Sequence, residues 1–248
     1  MPKLNDQNLE KVGIKGTSFV YSATRIKELG ATDYTLVSII VDRSGSVGQF
    51  KTDLENAIKE IIKSCKYSPR ADNLMIQLAS FADDVTEEHG FKLLQNCNAD
   101  DYTDILKCGG MTALFDASFD AISATVDYGK NLVKNNFNVN AIVFVLTDGD
   151  DNHSSLTAKQ VEEVLKKSVK DEIVESMVSV LIGVGVDPDV DKYLDNYYKT
   201  AGFTQYVKID QANAKTLAKL AQFVSKSISS QSQSLAKGTA FQPQSLTI

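Results

Sequence analysis

Apolar runs alternate with amphipathic stretches along most of the chain. Tyr34 to Val41 (YTLVSIIV) is almost continuously apolar, as a strand covered on both faces should be. Phe50 to Lys66 then sets Phe50, Leu54, Ala57, Ile58, Ile61 and Ile62 at helical spacing, with Lys and Glu between them. Leu74–Phe81 predicts a second strand and Val85–Leu94 a third, at an edge. A Gly109-Gly110 break opens a long helix over Ala113–Val133, and Ala141–Leu146 is the most hydrophobic strand of all. The pattern closes with a helix over 157–170, a strand over 177–184, a helix over 190–198, a strand over 206–209 and an amphipathic helix over 212–228. Strands alternating with helices imply βα units: an α/β, Rossmann-like fold with a mostly parallel central sheet and helices on both faces. Ahead of this, Gly13, Gly16 and Gly30 punctuate a β-prone run, Thr17–Tyr21, expected as an edge strand in a peripheral N-terminal arm. The reading is therefore an arm at 1–33, one domain at 34–230, and a tail at 231–248. From Ser229 the chain is Ser- and Gln-rich, and it is expected to be loose.

Composition narrows the function. With 43% hydrophobic and 23% charged residues, the 248-residue chain is globular rather than disordered. Its formal charge of -6 argues against nucleic acid as a partner, which calls for a basic stripe, and gives no sign of an anionic membrane surface. No run approaches a membrane span, and MPKLNDQNLEK is too polar for a signal peptide, so the expected location is cytoplasmic. Cys65, Cys97 and Cys108 are odd in number and lack CxxC spacing, which reads as free thiols in a reducing compartment.

Candidate chemistry gathers where strands end, the usual ligand position of open parallel sheets. Asp42, Ser44 and Ser46 alternate, with Gly45 letting the backbone curl, so a turn leaving the strand can aim three oxygens at one point. Thr112, after the glycine pair, adds a hydroxyl, and Asp148, in the Thr147-Asp148-Gly149 turn, adds a second carboxylate. An all-oxygen set with few carboxylates suits Mg²⁺ or Mn²⁺ and suits Zn²⁺ poorly. Single positions also have bland readings: Ser46 as a helix cap, Asp148 as a turn former.

Together, Asp42-x-Ser44-x-Ser46, the distant Thr112, and Asp148 in a Thr-Asp-Gly turn resemble the metal-ion-dependent adhesion site of von Willebrand factor A (vWA) domains. The resemblance spans residues 34–230 and implies that these five residues surround a divalent cation, directly or through water. It further implies a non-enzymatic module that binds a protein partner presenting Asp or Glu to the metal, as cytoplasmic members do inside larger assemblies. Phe223–Ser229 is similar to the ends of bacterial vWA proteins of the tellurium-resistance type.

Other chemistries fit less well. No GxxxxGK[ST] occurs, and Gly183-Val184-Gly185-Val186-Asp187-Pro188 replaces the last glycine of a dinucleotide loop by proline, so it reads as a strand-ending turn. A dehalogenase-type phosphatase needs Asp where Ser44 stands. A metal-dependent hydrolase or phosphotransferase, the alternative function, has only Asp150, Asp151 or His153 to offer as base or nucleophile. His153 reads as a solvated loop histidine, and Asp150 and Asp151 as water-facing acids.

Overall fold

The computed structural model describes residues 8–170 and 176–239. Its centre is a sheet whose strands are β1 (Leu9–Gly13), β2 (Val20–Thr24), β3 (Asp33–Asp42), β4 (Leu74–Phe81), β5 (Val85–Leu93), β6 (Asn138–Thr147), β7 (Ser176–Val184) and β8 (Gln205–Ile209). The order across the 8-stranded sheet is β1-β2-β5-β4-β3-β6-β7-β8. Pairing is parallel except for β1 with β2 and β4 with β5. The mostly parallel α/β expectation therefore holds.

Alternation along the central strands divides the core. Val37, Ile39 and Val41 of β3 and Ile142, Phe144 and Leu146 of β6 face α1 (Lys51–Lys66) and α5 (Ala214–Lys237). Leu36, Ile40, Ala141, Val143 and Val145 face α2 (Leu114–Lys134), α3 (Ala158–Lys170) and α4 (Pro188–Ala201). A strand apolar on both faces is the pattern that a sheet sandwiched between helix layers requires. The turn after β7 is a strand end, as expected: Gly185 takes φ +66° and Asp187 caps α4, accepting from the N–H groups of Asp189 and Val190. No helix among the described residues is long and apolar enough to cross a membrane.

Two expectations at the ends are corrected. The N-terminal segment is a hairpin integral to the sheet, and its inner strand is β2, three residues beyond the expected run, with β1 as the edge. Tyr21 and Ala23 are each 1% exposed, Tyr128 Oη donates to the Thr24 carbonyl at 2.8 Å, and Tyr21 Oη donates to Asp127 at 2.7 Å. At the other end, α5 runs past Ile228 to Lys237, so residues 229–237 are not loose; 240–248 lie outside the described residues. Polar as well as apolar burial holds it: Leu235 is buried alongside polar contacts. Gln231 is fully buried, its amide donating to Ser176 Oγ at 3.2 Å and to the Ala141 carbonyl at 3.4 Å, while Asn140 Nδ2 donates to the Gln231 carbonyl at 3.1 Å. Deleting 229–248 is accordingly expected to lower the melting temperature by about 5 °C or more, since one lost kcal/mol shifts a chain of this size by roughly 2–4 °C. An unchanged calorimetric melt would show that these contacts contribute nothing.

Candidate metal centre

β3 and β6 lie side by side, but the chain leaves them toward opposite faces, to α1 and to α3. Such a divergence opens a crevice at the carboxyl ends of the strands. Asp42 is the last residue of β3 and Thr147 the last of β6.

Asp42 is 1% exposed. Its Oδ1 accepts the Ser44 N–H at 2.7 Å and its Oδ2 accepts the Thr147 hydroxyl at 2.6 Å. From there an oxygen chain runs outward: Ser44 Oγ lies 3.2 Å from Ser46 Oγ, and Ser46 Oγ donates to Asp148 Oδ1 at 2.9 Å. Four of the five sequence-nominated residues are thus gathered into one path from the buried strand end to the surface. Thr112, 5% exposed, is carried alongside by its backbone. Its N–H donates to Asn152 Oδ1 at 2.8 Å, and its carbonyl accepts from the N–H groups of Asn152 (3.0 Å) and His153 (3.2 Å). Its hydroxyl oxygen sits 3.9 Å from where a Cβ on Gly149 would stand, so it faces the Asp148 turn. The glycine pair fixes this loop: Gly110, at φ +87°, turns its carbonyl to the Gly45 N–H at 3.3 Å and presses against the Asp83 carboxylate, where a side chain would collide.

The electrostatics show what such a site lacks. Burial raises the Asp42 pKa, against the lowering effect of the Thr147 and Ser44 hydrogen bonds. Burial and the charge of Asp42 push Asp148 up to about 6. Two carboxylates therefore hold negative charge in a crevice with hydroxyls around them and no basic partner among their hydrogen bonds. That donor set fits a hard divalent cation, which would relieve both. Among the described residues no three His, Cys, Asp or Glu side chains converge, so a soft, zinc-type cluster is absent and the hydroxyls must complete any shell.

The neighbouring residues are occupied otherwise. Asp151 is not a free loop acid, as the sequence suggested. It accepts the Phe115 N–H at 3.1 Å and the Ser154 hydroxyl, and so ties the loop to the first turn of α2. His153 is exposed, in keeping with a solvated loop histidine. The other histidine, His89, is buried between the Gly90 carbonyl and the Tyr102 hydroxyl, and burial pushes its pKa down to about 3. Arg43 pairs with Asp84 rather than facing the crevice. Three contributors escaped the sequence reading: Thr147, Asn152 and Ser154. The first had a visible signal, a hydroxyl residue directly before the acid at the strand end.

Comparison with known proteins agrees with this geometry. The chain resembles the structure of proximal thread matrix protein 1 from the mussel byssus at 19% identity, covering 80% of this chain and 47% of that one, with a TM-score of 0.56. A second structure of that protein, described as having a zinc-occupied MIDAS motif, matches at 20% identity over 79% of this chain and 46% of the other, TM-score 0.51. The PilB minor pilin from Streptococcus sanguinis matches at 16% identity over 80% of this chain and 62% of the other, TM-score 0.58. The chain thus spans about half of the mussel protein and 62% of the pilin. At these identities the likeness concerns the fold. A search among curated proteins returns no match. The model of the von Willebrand factor type A domain matches residues 37–222, well over half of the sequence, and the chain belongs to that family.

Proposed function

We propose that this chain is a non-enzymatic binding module that holds one divalent cation, Mg²⁺ or Mn²⁺, through Asp42, Ser44, Ser46, Thr112 and Asp148, and there engages an Asp or Glu of a protein partner. The observation that carries this reading is the buried Asp42 carboxylate at the β3 end, joined through Ser44 and Ser46 to Asp148 across the β3–β6 crevice. The bound cation would supply a positive charge with an open position, to which a carboxylate binds more strongly than to a surface lysine. The residues do the positioning. Thr147 and the Ser44 N–H hold Asp42 from behind, leaving the serine hydroxyls and Asp148 to face outward. The matched pilin and the zinc-occupied mussel structure support a metal-dependent, interaction-type role. The all-oxygen donor set supports magnesium or manganese over zinc here.

The hydrolase alternative loses support, since Asp151 is engaged at the α2 terminus and His153 stands in the open. The tellurium-resistance resemblance rests on Phe223–Ser229, whose Phe223, Val224 and Ile228 are core residues of α5. A cytoplasmic setting is supported by the buried free thiols Cys65 and Cys97.

Isothermal titration with Mn²⁺ or Mg²⁺ tests the site: one saturable event in the wild type, none in Asp42→Ala, and a weaker one in Thr112→Ala. Equal binding by the Asp42 variant would remove that residue from the ligand set and end the proposal.

A further inference from the structure

The glycine loop that carries Thr112 is pinned along its backbone. The N–H of Gly109 donates to the Arg43 carbonyl, that of Met111 to Asp83 Oδ1, and that of Ala113 to the Ala82 carbonyl, each at 2.8 Å. All three acceptors directly follow the ends of β3 and β4. These bonds tie the loop to the Asp42 side of the crevice and leave its distance from Asp148 open.

Asn152 supplies the other side. Its Oδ1 accepts the Thr112 N–H at 2.8 Å, and its own N–H donates to the Thr112 carbonyl at 3.0 Å. Both backbone groups of Thr112 are thus clasped by one residue of the loop that begins at Asp148. The rest of that loop is anchored to α2. Asp151 Oδ2 and Ser154 Oγ accept the Phe115 N–H at 3.1 and 3.0 Å, and Asp116 accepts the N–H groups of Ser155 at 3.0 Å and Leu156 at 2.8 Å. The helix needs these partners, because its own N-cap, Ala113, makes no side-chain cap. Asn152 therefore projects from a fixed base.

Thr112 depends on such a base. Asp42, Ser44, Ser46 and Asp148 are joined by bonds of their own side chains, through Thr147 and the serine hydroxyls. Among the described residues the Thr112 hydroxyl has no hydrogen bond to any of them, so its approach to the Asp148 turn is set by its backbone alone. Asn152 is itself an exposed residue, yet its amide oxygen is turned in to the N–H of a buried one. We propose, on the basis of the cation site above, that Asn152 is its positioning residue: it sets Thr112 against Asp148 so that both reach one cation, and it acts through Thr112 rather than as a ligand. Removing the amide leaves the Thr112 N–H without an acceptor, and the loop must shift to hydrate it, carrying the hydroxyl away.

The test is isothermal titration of the full chain with Mn²⁺, with urea unfolding in EDTA beside it. Asn152→Ala should weaken Mn²⁺ about fivefold or more, the scale of one side-chain hydrogen bond. Asn152→Asp, which keeps an acceptor in place, should bind at least as tightly as the wild type. In a Thr112→Ala background the affinity loss caused by Asn152→Ala should vanish, since the hydroxyl being positioned is gone. Its loss in urea midpoint should persist there, since the backbone N–H remains. A merely structural asparagine would weaken Mn²⁺ by the same factor in both backgrounds. That result, or wild-type affinity in Asn152→Ala, overturns the positioning role while Asp42→Ala still abolishes binding. Should the wild type bind no Mn²⁺, or Asp42→Ala bind it equally, the cation site fails and the positioning role falls with it.

Discussion

In EDTA, Asp42→Asn is expected to melt above the wild-type chain, while Mg²⁺ raises the melting temperature of the wild type alone. The first half follows from burial. A carboxylate 1% exposed beside a second carboxylate, with only neutral donors around it, is a net cost to the metal-free fold. An amide of the same shape keeps the Ser44 N–H as donor and turns its own NH₂ toward the Thr147 hydroxyl, which can donate instead to the Gly149 carbonyl at 3.1 Å. Removing the charge should return roughly 1–3 kcal/mol, or several degrees. The sign with pH is fixed. Asp42 lies above its ordinary 3.8 and Asp148 near 6, so the folded metal-free chain holds these protons more tightly than the unfolded one. That stabilisation is complete below about pH 4 and lost as pH rises through the folded values, so the gap between variant and wild type should widen from about pH 5 to pH 8. The second half follows from ligand identity, since a neutral amide cannot replace the anionic ligand. A variant that melts below the wild type in EDTA would show that the hydrogen bonds outweigh the charge. An equal Mg²⁺ shift in both proteins would take Asp42 out of the site.

Gly90→Ala should be the most damaging single methyl addition in the molecule. The new Cβ would coincide with the Ser22 carbonyl, and backbone cannot swing aside as a side chain tip can. β2 must therefore move off β5, and several contacts leave with it: the Ser22–Glu87 hydrogen bonds, the Thr24 hydroxyl on the Phe91 carbonyl at 3.0 Å, and the edge-on packing of Tyr21 against Phe91. Overpacking alone costs about 1–3 kcal/mol, and each hydrogen bond adds roughly 0.5–1.5, so a loss of at least about 3 kcal/mol is expected. Urea unfolding measures it, and limited proteolysis should show new cleavage between β1 and β2. An unchanged urea midpoint would mean that the hairpin shifts without resistance.

The contrast between these two sites shows what a sequence reader can see. β4 was legible to the residue, because its eight consecutive buried positions are apolar but for Gln77 and Ser80. Asp42, Ser44 and Ser46 were legible because they are close in sequence and sit where an apolar strand stops, and Asp148 because it follows another such strand. β1 was not, because LEKVG buries nothing fully and its partner β2 begins on the exposed Val20. β6 began three residues earlier than its apolar run, at Asn138, and buried Asn140 donates to the Gln231 carbonyl from 91 residues away. The same distant pairing hid the last turns of α5: Ser and Gln look like solvent-facing residues until their partner is known. Asp151 was misread for a related reason, since its partner N–H belongs to a helix start 36 residues upstream.

The hydrogen bond from Thr147 to Asp42 joins residues 105 apart in sequence. Its two strands are neighbours at the centre of the sheet, so pairing them closes a loop that holds β4, β5 and α2. Closing so long a loop comes before any contact rewards it, and chains governed by such distant pairings fold in milliseconds to seconds rather than microseconds. The proposed cation site cannot then act as a folding nucleus. Its residues come together only with the β3–β6 seam, so cation affinity appearing during refolding would time the closure of that seam.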